Sequence, residues 1–276
     1  MDKILDITEL EKIAKEIRKG IVEVVYKAKS GHPGGSLSIA DIMAVLYFNE
    51  MNIDVANPKW EDRDRFVLSK GHCTPALYSC LAERGFFHKD LLATVRKIDS
   101  NLQGHPDMNK IPGVDMTTGS LGQGLSAANG MAIAGKLDNK NYRVYVVLGD
   151  GEIEEGQVWE AAMAANHFKL DNLCVIVDNN NLQIDGPTDK VMNSAPLDAK
   201  FESFGFEVIT INGNNVLEIM QAFAKAKTIK NKPTCIIAET IKGKGVSFME
   251  NQVGWHGKAP NEEQYNLAME ELNYKQ

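Results

Sequence analysis

The sequence is short of several things, and each shortage narrows its function. Its 276 residues include only four cysteines, Cys73, Cys80, Cys174 and Cys235, and no two form a CxxC pair. A zinc-ribbon or dithiol-redox motif is therefore excluded, and single thiols scattered through an acidic chain fit a reducing cytosol. No apolar run approaches the ~20 residues that a membrane-spanning helix needs. The opening stretch, MDKILDITELEKIAKEIRKG, reads as a charged amphipathic helix without the apolar core of a secretory leader, so a cytoplasmic protein is expected. Positive charge is also in deficit: 30 Lys and Arg against 37 Asp and Glu give a net charge of −7. That balance argues against a nucleic-acid surface, which depends on clustered Lys and Arg. It leaves room for a small phosphorylated ligand, because a local site can oppose the net charge. There is no internal repeat, low-complexity tract or Pro/Ser linker, so one domain over residues 1–276 with an N-terminal helical segment is expected.

What is present is an ordinary globular composition, 43 % hydrophobic and 24 % charged. Residues 7–29 have helical spacing, with Leu10, Ile13, Ile17, Ile21 and Val24 on one stripe. SGHPGGS (30–36) breaks that pattern, and a second helix is expected over about 38–50. Phe66-Val67-Leu68 is a short strand candidate. Four clearer strands follow in YRVYVVLG (142–149), LCVIVD (173–178), FEVITI (206–211) and TCIIAET (234–240), with helices over 155–169 and about 215–228. Strands alternating with helices predict an α/β fold, a doubly wound, mainly parallel sheet flanked by helices. Ligands of such sheets sit beyond the carboxyl ends of the strands, which directs attention to the loops after Leu148, Val177 and Ile237.

The first of these loops reads Gly149-Asp150-Gly151-Glu152-Ile153-Glu154-Glu155-Gly156. It lacks the third glycine of a dinucleotide-binding loop and carries four carboxylates, which would repel a bare phosphate. A divalent cation reverses the argument, since Asp150 can bind the metal and the metal can bind phosphate oxygens. Gly151 lets the backbone approach the ligand. The second loop, Asp178-Asn179-Asn180-Asn181-Leu182-Gln183-Ile184-Asp185-Gly186, offers amide and carbonyl oxygens that suit Mg²⁺. One strand-helix-strand unit separates Asp150 from Asn180 and can bring the two loops together. A lone GDG is usually a turn and a lone NNN a polar loop; paired at two strand ends they match the GDG…NN signature of thiamine-diphosphate sites.

With SGHPGG (30–35), DRFVLSKGH (64–72), GHP (104–106), PGVDMTTGSLGQGL (112–125), GDGEIEEGQVWEA (149–161), DNNNLQIDG (178–186) and WHGKAP (255–260) in order, the chain resembles the N-terminal, diphosphate-binding half of transketolase almost end to end. The resemblance implies the thiamine-diphosphate-binding fold, with Mg²⁺ (Ca²⁺ or Mn²⁺ as substitutes) held by Asp150, Asn180 and the carbonyl of Leu182. It places Gly151, His72 and His256 at the diphosphate, and Gly119 and Leu121 at the thiazolium ring. Asn180 and Glu160 count among the cofactor-binding positions as well. His32 and His105 would face the reacting carbon and substrate hydroxyls, with His256 and Glu155 also in the catalytic set. Glu155 and Glu160 match acidic residues that couple two active sites across a subunit interface. His88 and His167, in helical surroundings without Gly or Pro neighbours, read as structural. Lys242 and Lys244, in IKGKG, read as a solvated loop.

After WHGKAP the chain offers only a short helix and tail. The family's pyrimidine-binding domain, with its ring-activating glutamate and sugar-phosphate arginines, has no counterpart here. The expectation is the N-terminal subunit of a split transketolase. It would transfer a two-carbon ketol unit from a ketose phosphate to an aldose phosphate with a separate partner subunit, two copies of each. The sugars could be those of the pentose phosphate pathway or rarer branched or modified ones. A first component of a 2-oxo acid dehydrogenase, another thiamine-diphosphate enzyme such as deoxyxylulose-phosphate synthase, and a non-catalytic cofactor-binding module remain as alternatives.

Overall fold

The computed structural model describes residues 3–274. The long helix α1 (Ile7–Ala28) starts at Asp6, whose side chain accepts from Thr8 N–H at 2.8 Å, an N-cap that satisfies one of the helix's unpaired donors. The chain continues through α2 (Pro33–Ser38), α3 (Ala40–Val45) and a wider turn at Leu46–Glu50 to strand β1 (Arg65–Leu68). Helices α4 (Thr74–Arg84) and α5 (Gln123–Leu137) precede β2 (Val144–Gly149), and α6 (Gly156–His167) leads to β3 (Leu173–Asn179). A small hairpin, β4 (Leu182–Gln183) with β5 (Gly186–Pro187), is followed by α7 (Thr188–Val191) and α8 (Leu197–Ser203). Strand β6 (Glu207–Asn212), α9 (Val216–Thr228), β7 (Thr234–Glu239) and α10 (Glu262–Asn273) complete the order.

The second helix departs from the expectation. In place of a single helix over 38–50, two helical segments meet at Ile39, and the first begins inside the Gly/Pro motif. Pro33 occupies the first turn, where its fixed φ and missing N–H cost nothing. The motif that reads as an interruption is thus a helix start.

The five main strands are all parallel in the order β1-β2-β3-β7-β6. Alternate residues of each strand point to opposite faces, and both faces are covered. On one face Tyr145, Val147, Cys174, Ile176, Ile236 and Ala238 pack with α1, α3, α4 and α9. On the other, Val146, Leu148, Val175, Val177, Cys235 and Ile237 pack with α5, α6 and α8. Two-sided burial explains why these strands read as continuous apolar runs. The doubly wound α/β architecture is as expected.

A buried polar cross-link ties the layers behind the carboxyl ends of the strands. Arg18 of α1 grips Asp41 of α3 through both guanidinium nitrogens, at 3.0 and 2.5 Å, and its Nε donates to the Lys244 carbonyl at 3.1 Å. Asn214, just past β6, donates to the Ser38 carbonyl and to Asp41 and accepts from Ile241 N–H. Helices α1 to α3 are thereby fixed against the loop that follows β7. The core is held by aromatics such as Phe223, 1 % exposed, which meets Tyr145 edge to face at 5.7 Å between centroids. Phe223→Ala should lower the unfolding free energy by about 3–5 kcal/mol, read from urea titration at constant m-value; a loss below ~1 kcal/mol would show that this core collapses freely around the gap.

Candidate active site

Register places the two expected loops side by side. Gly149 pairs with Asp178 across β2 and β3, and Asp150 N–H donates to the Asp178 carbonyl at 3.2 Å. The Asp150 carboxylate accepts from Gly151 N–H at 2.8 Å through one oxygen and from Asn181 N–H through the other. It is therefore bonded to both turns. Asn181 holds the left-handed conformation, φ 61°, that reverses the chain into the β4–β5 hairpin. A Cβ on Gly151 would lie 3.2 Å from Gln183 Cβ of that hairpin, so the glycine lets the two loops close on each other.

Asp178 is the anchor of this floor. It is fully buried and accepts from Lys70 Nζ at 2.6 Å, Ser38 Oγ at 2.7 Å, Asn180 Nδ2 at 2.9 Å and Thr240 Oγ1. Lys70 also donates to the Gly35 carbonyl at 2.8 Å. Burial alone would raise the Asp178 pKa, but the Lys70 ammonium and the hydroxyl donors overcome it and hold the carboxyl below its usual range. Burial likewise pulls Lys70 down, and Asp178 outweighs it, so Lys70 is raised. Both charges persist because each satisfies the other.

Above this floor stand three histidines. The rings of His32, His72 and His256 form a triangle with centroid separations of 5.1, 5.5 and 5.3 Å. His32 caps α2, whose glycines permit the approach. A Cβ on Gly34 would lie 3.0 Å from the Trp255 carbonyl, and one on Gly35 would lie 3.0 Å from Cys73 Sγ. His105 lies beside Gly119, where a Cβ would come within 3.2 Å of its ring. Gly119 itself has φ +153°. Thus GHPGG, KGH, GHP, TTGSLGQG and WHGK converge, as do GDG and NNN. Leu121 and Leu182 are half-buried, while Glu155 and Glu160 lie exposed on the outer side of the α6 segment. His88 caps a short helical turn at Asp90, and His167 meets Phe168 at the end of α6, apart from the triangle.

Lys242 is a correction to the sequence reading. It is 2 % exposed rather than solvated, and its ammonium donates to the Leu182 carbonyl at 2.9 Å and lies 3.0 Å from His256 Nδ1. Burial, with a smaller contribution from Lys70, pulls its pKa below the usual lysine value. The signal in the sequence is position: Lys242 follows the third strand end that the topology singles out. Lys70 and Asp178 are site residues that motif reading does not single out, although both lie inside the motifs. Arg96 carries no sequence signal; its guanidinium packs on Gly104, and its charge bears on both His32 and His105.

These positive charges, with burial first, keep the imidazoles neutral. His32 and His72 fall to about 4 and His256 to about 3; His105 is also lowered. Asp150 moves the other way, to about 7, because burial and the neighbouring Asp178 outweigh the two backbone donors and the Lys242 charge that favour its ionised form. A buried carboxylate in that position suits a cation. Among the described residues no three His, Cys, Asp or Glu are grouped so that they could hold a metal ion. A cation here would therefore use the Asp150 carboxylate, the Asn180 amide oxygen and the Leu182 carbonyl, all hard oxygen donors. The buried Lys242 ammonium, bonded to a carbonyl and an imidazole, and the unpartnered buried His32 Nδ1 suit an anionic ligand with acceptor oxygens.

The family model described as "Transketolase, thiamine diphosphate binding domain" matches residues 10–276, and the chain belongs to that family. It is 47 % identical over 264 residues to a 6-deoxy-6-sulfo-D-fructose transketolase subunit of a Clostridium species, covering 96 % of each chain. It is 44 % identical over 269 residues to an apulose-4-phosphate transketolase subunit of Phocaeicola vulgatus, covering 98 % of this chain and 95 % of that one. Among solved structures it superposes on transketolase from Campylobacter jejuni with a TM-score of 0.91 at 35 % identity. It covers 98 % of its own length there but only 44 % of that protein. The chain thus matches proteins named as transketolase subunits over nearly their whole length and spans less than half of the Campylobacter transketolase. No described helix is long and apolar enough to cross a membrane.

The lowered imidazoles set a stability window. The unfolded chain takes up protons near pH 6.5, whereas the folded rings wait until about 4 or below. Their contribution is complete above about pH 6.5 and is lost as pH falls from there toward about 4. Urea midpoints at about pH 7 and about pH 5 check this, and replacing His32, His72 and His256 together by Gln should shrink the difference between them.

Proposed function

We propose that this chain is the diphosphate-binding subunit of a two-chain, Mg²⁺-dependent transketolase. The observation that carries the reading is the meeting of the Asp150 turn, the Asn180 turn, Lys242 and the histidine triangle at the carboxyl ends of adjacent parallel strands. Bound thiamine diphosphate supplies a nucleophilic carbon and an electron sink for the carbanion left by C–C cleavage.

The chain's own residues have distinct tasks. Asp150, Asn180 and the Leu182 carbonyl hold Mg²⁺. Gly151 N–H, His72, His256 and Lys242 hold the diphosphate. Gly119 and Leu121 line the thiazolium site. His32 and His105, neutral at about pH 7, can accept a proton from a substrate hydroxyl and return it, which a permanently charged imidazolium could not. Glu155 and Glu160, exposed near the start of α6, face a neighbouring protomer and link two sites. The pyrimidine-binding domain comes from a partner subunit, with two copies of each chain in the assembly.

Relatives named for apulose 4-phosphate and 6-deoxy-6-sulfofructose support a ketose with an anionic tail as donor. The partner subunit would supply most of the groups for that tail.

The test is to isolate the chain with whatever co-purifies from its native source. Ketol transfer from a ketose phosphate to an aldose phosphate is then assayed with Mg²⁺ and thiamine diphosphate. Transfer should require the accompanying chain; full activity of the isolated chain, or decarboxylation of pyruvate in place of ketol transfer, would reject the reading. Asp150→Asn should weaken Mg²⁺-dependent retention of thiamine diphosphate by more than about tenfold. It should shift the thermal midpoint of the ligand-free chain little, since relief of a buried charge offsets one lost hydrogen bond. Unchanged binding by that variant would remove Asp150 from the metal site.

A further inference from the structure

Glu152 is one of four carboxylates in the loop after β2, and its charge alone suggests only repulsion of phosphate. The structure gives it a different place. It is 3 % exposed and turned inward. One carboxylate oxygen accepts from Gly122 N–H at 2.9 Å and from Ser69 Oγ; the other accepts from Gly149 N–H at 3.0 Å. Those three donors belong to three different segments of the site. Ser69 begins the segment that carries Lys70 and His72. Gly122 lies in the segment of Gly119 and Leu121. Gly149 opens the turn of Asp150 and Gly151.

The three segments touch where Glu152 joins them. A Cβ on Gly71 would lie 2.8 Å from Gly119 N, and one on Gly124 would lie 2.3 Å from Ser69 Oγ. Thr118 Oγ1 donates to the Leu68 carbonyl at 2.7 Å. Gly122 adopts φ +81° at the start of α5, which turns its N–H inward to the carboxylate. A carboxylate is the side chain that fits, because all three positions around it are donors. An amide of the same shape would set an NH₂ against a backbone N–H in either orientation, since each oxygen already faces one.

We infer that Glu152 is a positioning residue that sets the thiazolium-side segment at a fixed distance from the diphosphate-side turn, so that the site accepts thiamine diphosphate in preference to bare pyrophosphate. This rests on the proposed cofactor reading and goes beyond it, because the Glu152 carboxylate is bonded to Ser69, Gly122 and Gly149 and is not among the groups assigned to either end of the cofactor. Its role is the spacing between the two ends.

The experiment compares dissociation constants for Mg²⁺-thiamine diphosphate and Mg²⁺-pyrophosphate, by calorimetry on the chain assembled with its co-purifying partner, for the unmodified protein, Glu152→Gln and Ser69→Ala. Thermal midpoints without ligand are recorded in parallel. In Glu152→Gln the preference for thiamine diphosphate should fall about tenfold, with pyrophosphate affinity nearly unchanged, because the metal turn keeps its own bonds. Ser69→Ala, which removes one donor and leaves the carboxylate, should reduce the preference about threefold. Equal weakening of both ligands, or an unchanged ratio, overturns the inference even if stability falls. If Glu152→Gln does not fold, the Ser69→Ala ratio decides alone: a fall supports the inference and no change overturns it. Failure of the unmodified assembly to bind thiamine diphosphate at all would reject the cofactor reading, a result distinct from the other two.

Discussion

The site depends on one buried ion pair. Asp178 sits at the end of the central strand β3 with no exposure to solvent, and four side chains from four parts of the chain converge on it. Removing a carboxylate from water costs several kcal/mol unless it is paired and hydrogen-bonded. Asp178 meets that requirement by drawing in Ser38, Lys70, Asn180 and Thr240. The cost of burial is thus converted into a demand for geometry: each group that satisfies Asp178 belongs to a segment that also carries or flanks a residue of the site.

The electrostatics above the floor follow from which charges are cancelled. Lys70 is neutralised by Asp178, whereas Lys242 meets only a carbonyl and an imidazole among its hydrogen-bond contacts. The Lys242 ammonium is thus a buried cation without a bonded carboxylate in a chain of net charge −7. Burial first, and the nearby cations second, keep the histidine rings neutral. The same surroundings leave Asp150 short of positive charge at short range. The two imbalances are complementary: an anion and a cation bound together satisfy both, and a metal-bound diphosphate is such a pair.

Much of this is legible in the sequence. The strands declare themselves because two-sided burial demands unbroken β-branched runs, and the strand-end rule leads to loops that the structure brings together. The Asp150 turn and the histidine loops are visible because glycine and proline mark places where the backbone must turn or approach closely. The rest is less visible for physical reasons. Helix α5 (QGLSAANGMAIAGKL) is rich in Gly and Ala and has little amphipathic contrast, so periodicity does not reveal it. Pro33 looks like a breaker and is a helix start. Lys242 looks like a surface lysine because sequence does not show that α2 and the β4–β5 hairpin close over it. Glu152 shows only its charge, while its three donors come from residues far apart in the chain.

The strand order has a consequence for how the molecule comes into being. Ser38 meets Asp178 across 140 residues and Lys70 meets it across 108. Strand β7 fits between β3 and β6 only after both exist, and Lys242 and His256 follow it. As the polypeptide leaves the ribosome at about 5–20 residues per second, β3 waits several seconds with one edge unpaired and with Asp178 still lacking the hydrogen bond from Thr240. The nascent half-sheet thus carries an open strand edge able to pair with another chain, and arrival of β7 seals that edge just before Lys242 enters the pocket.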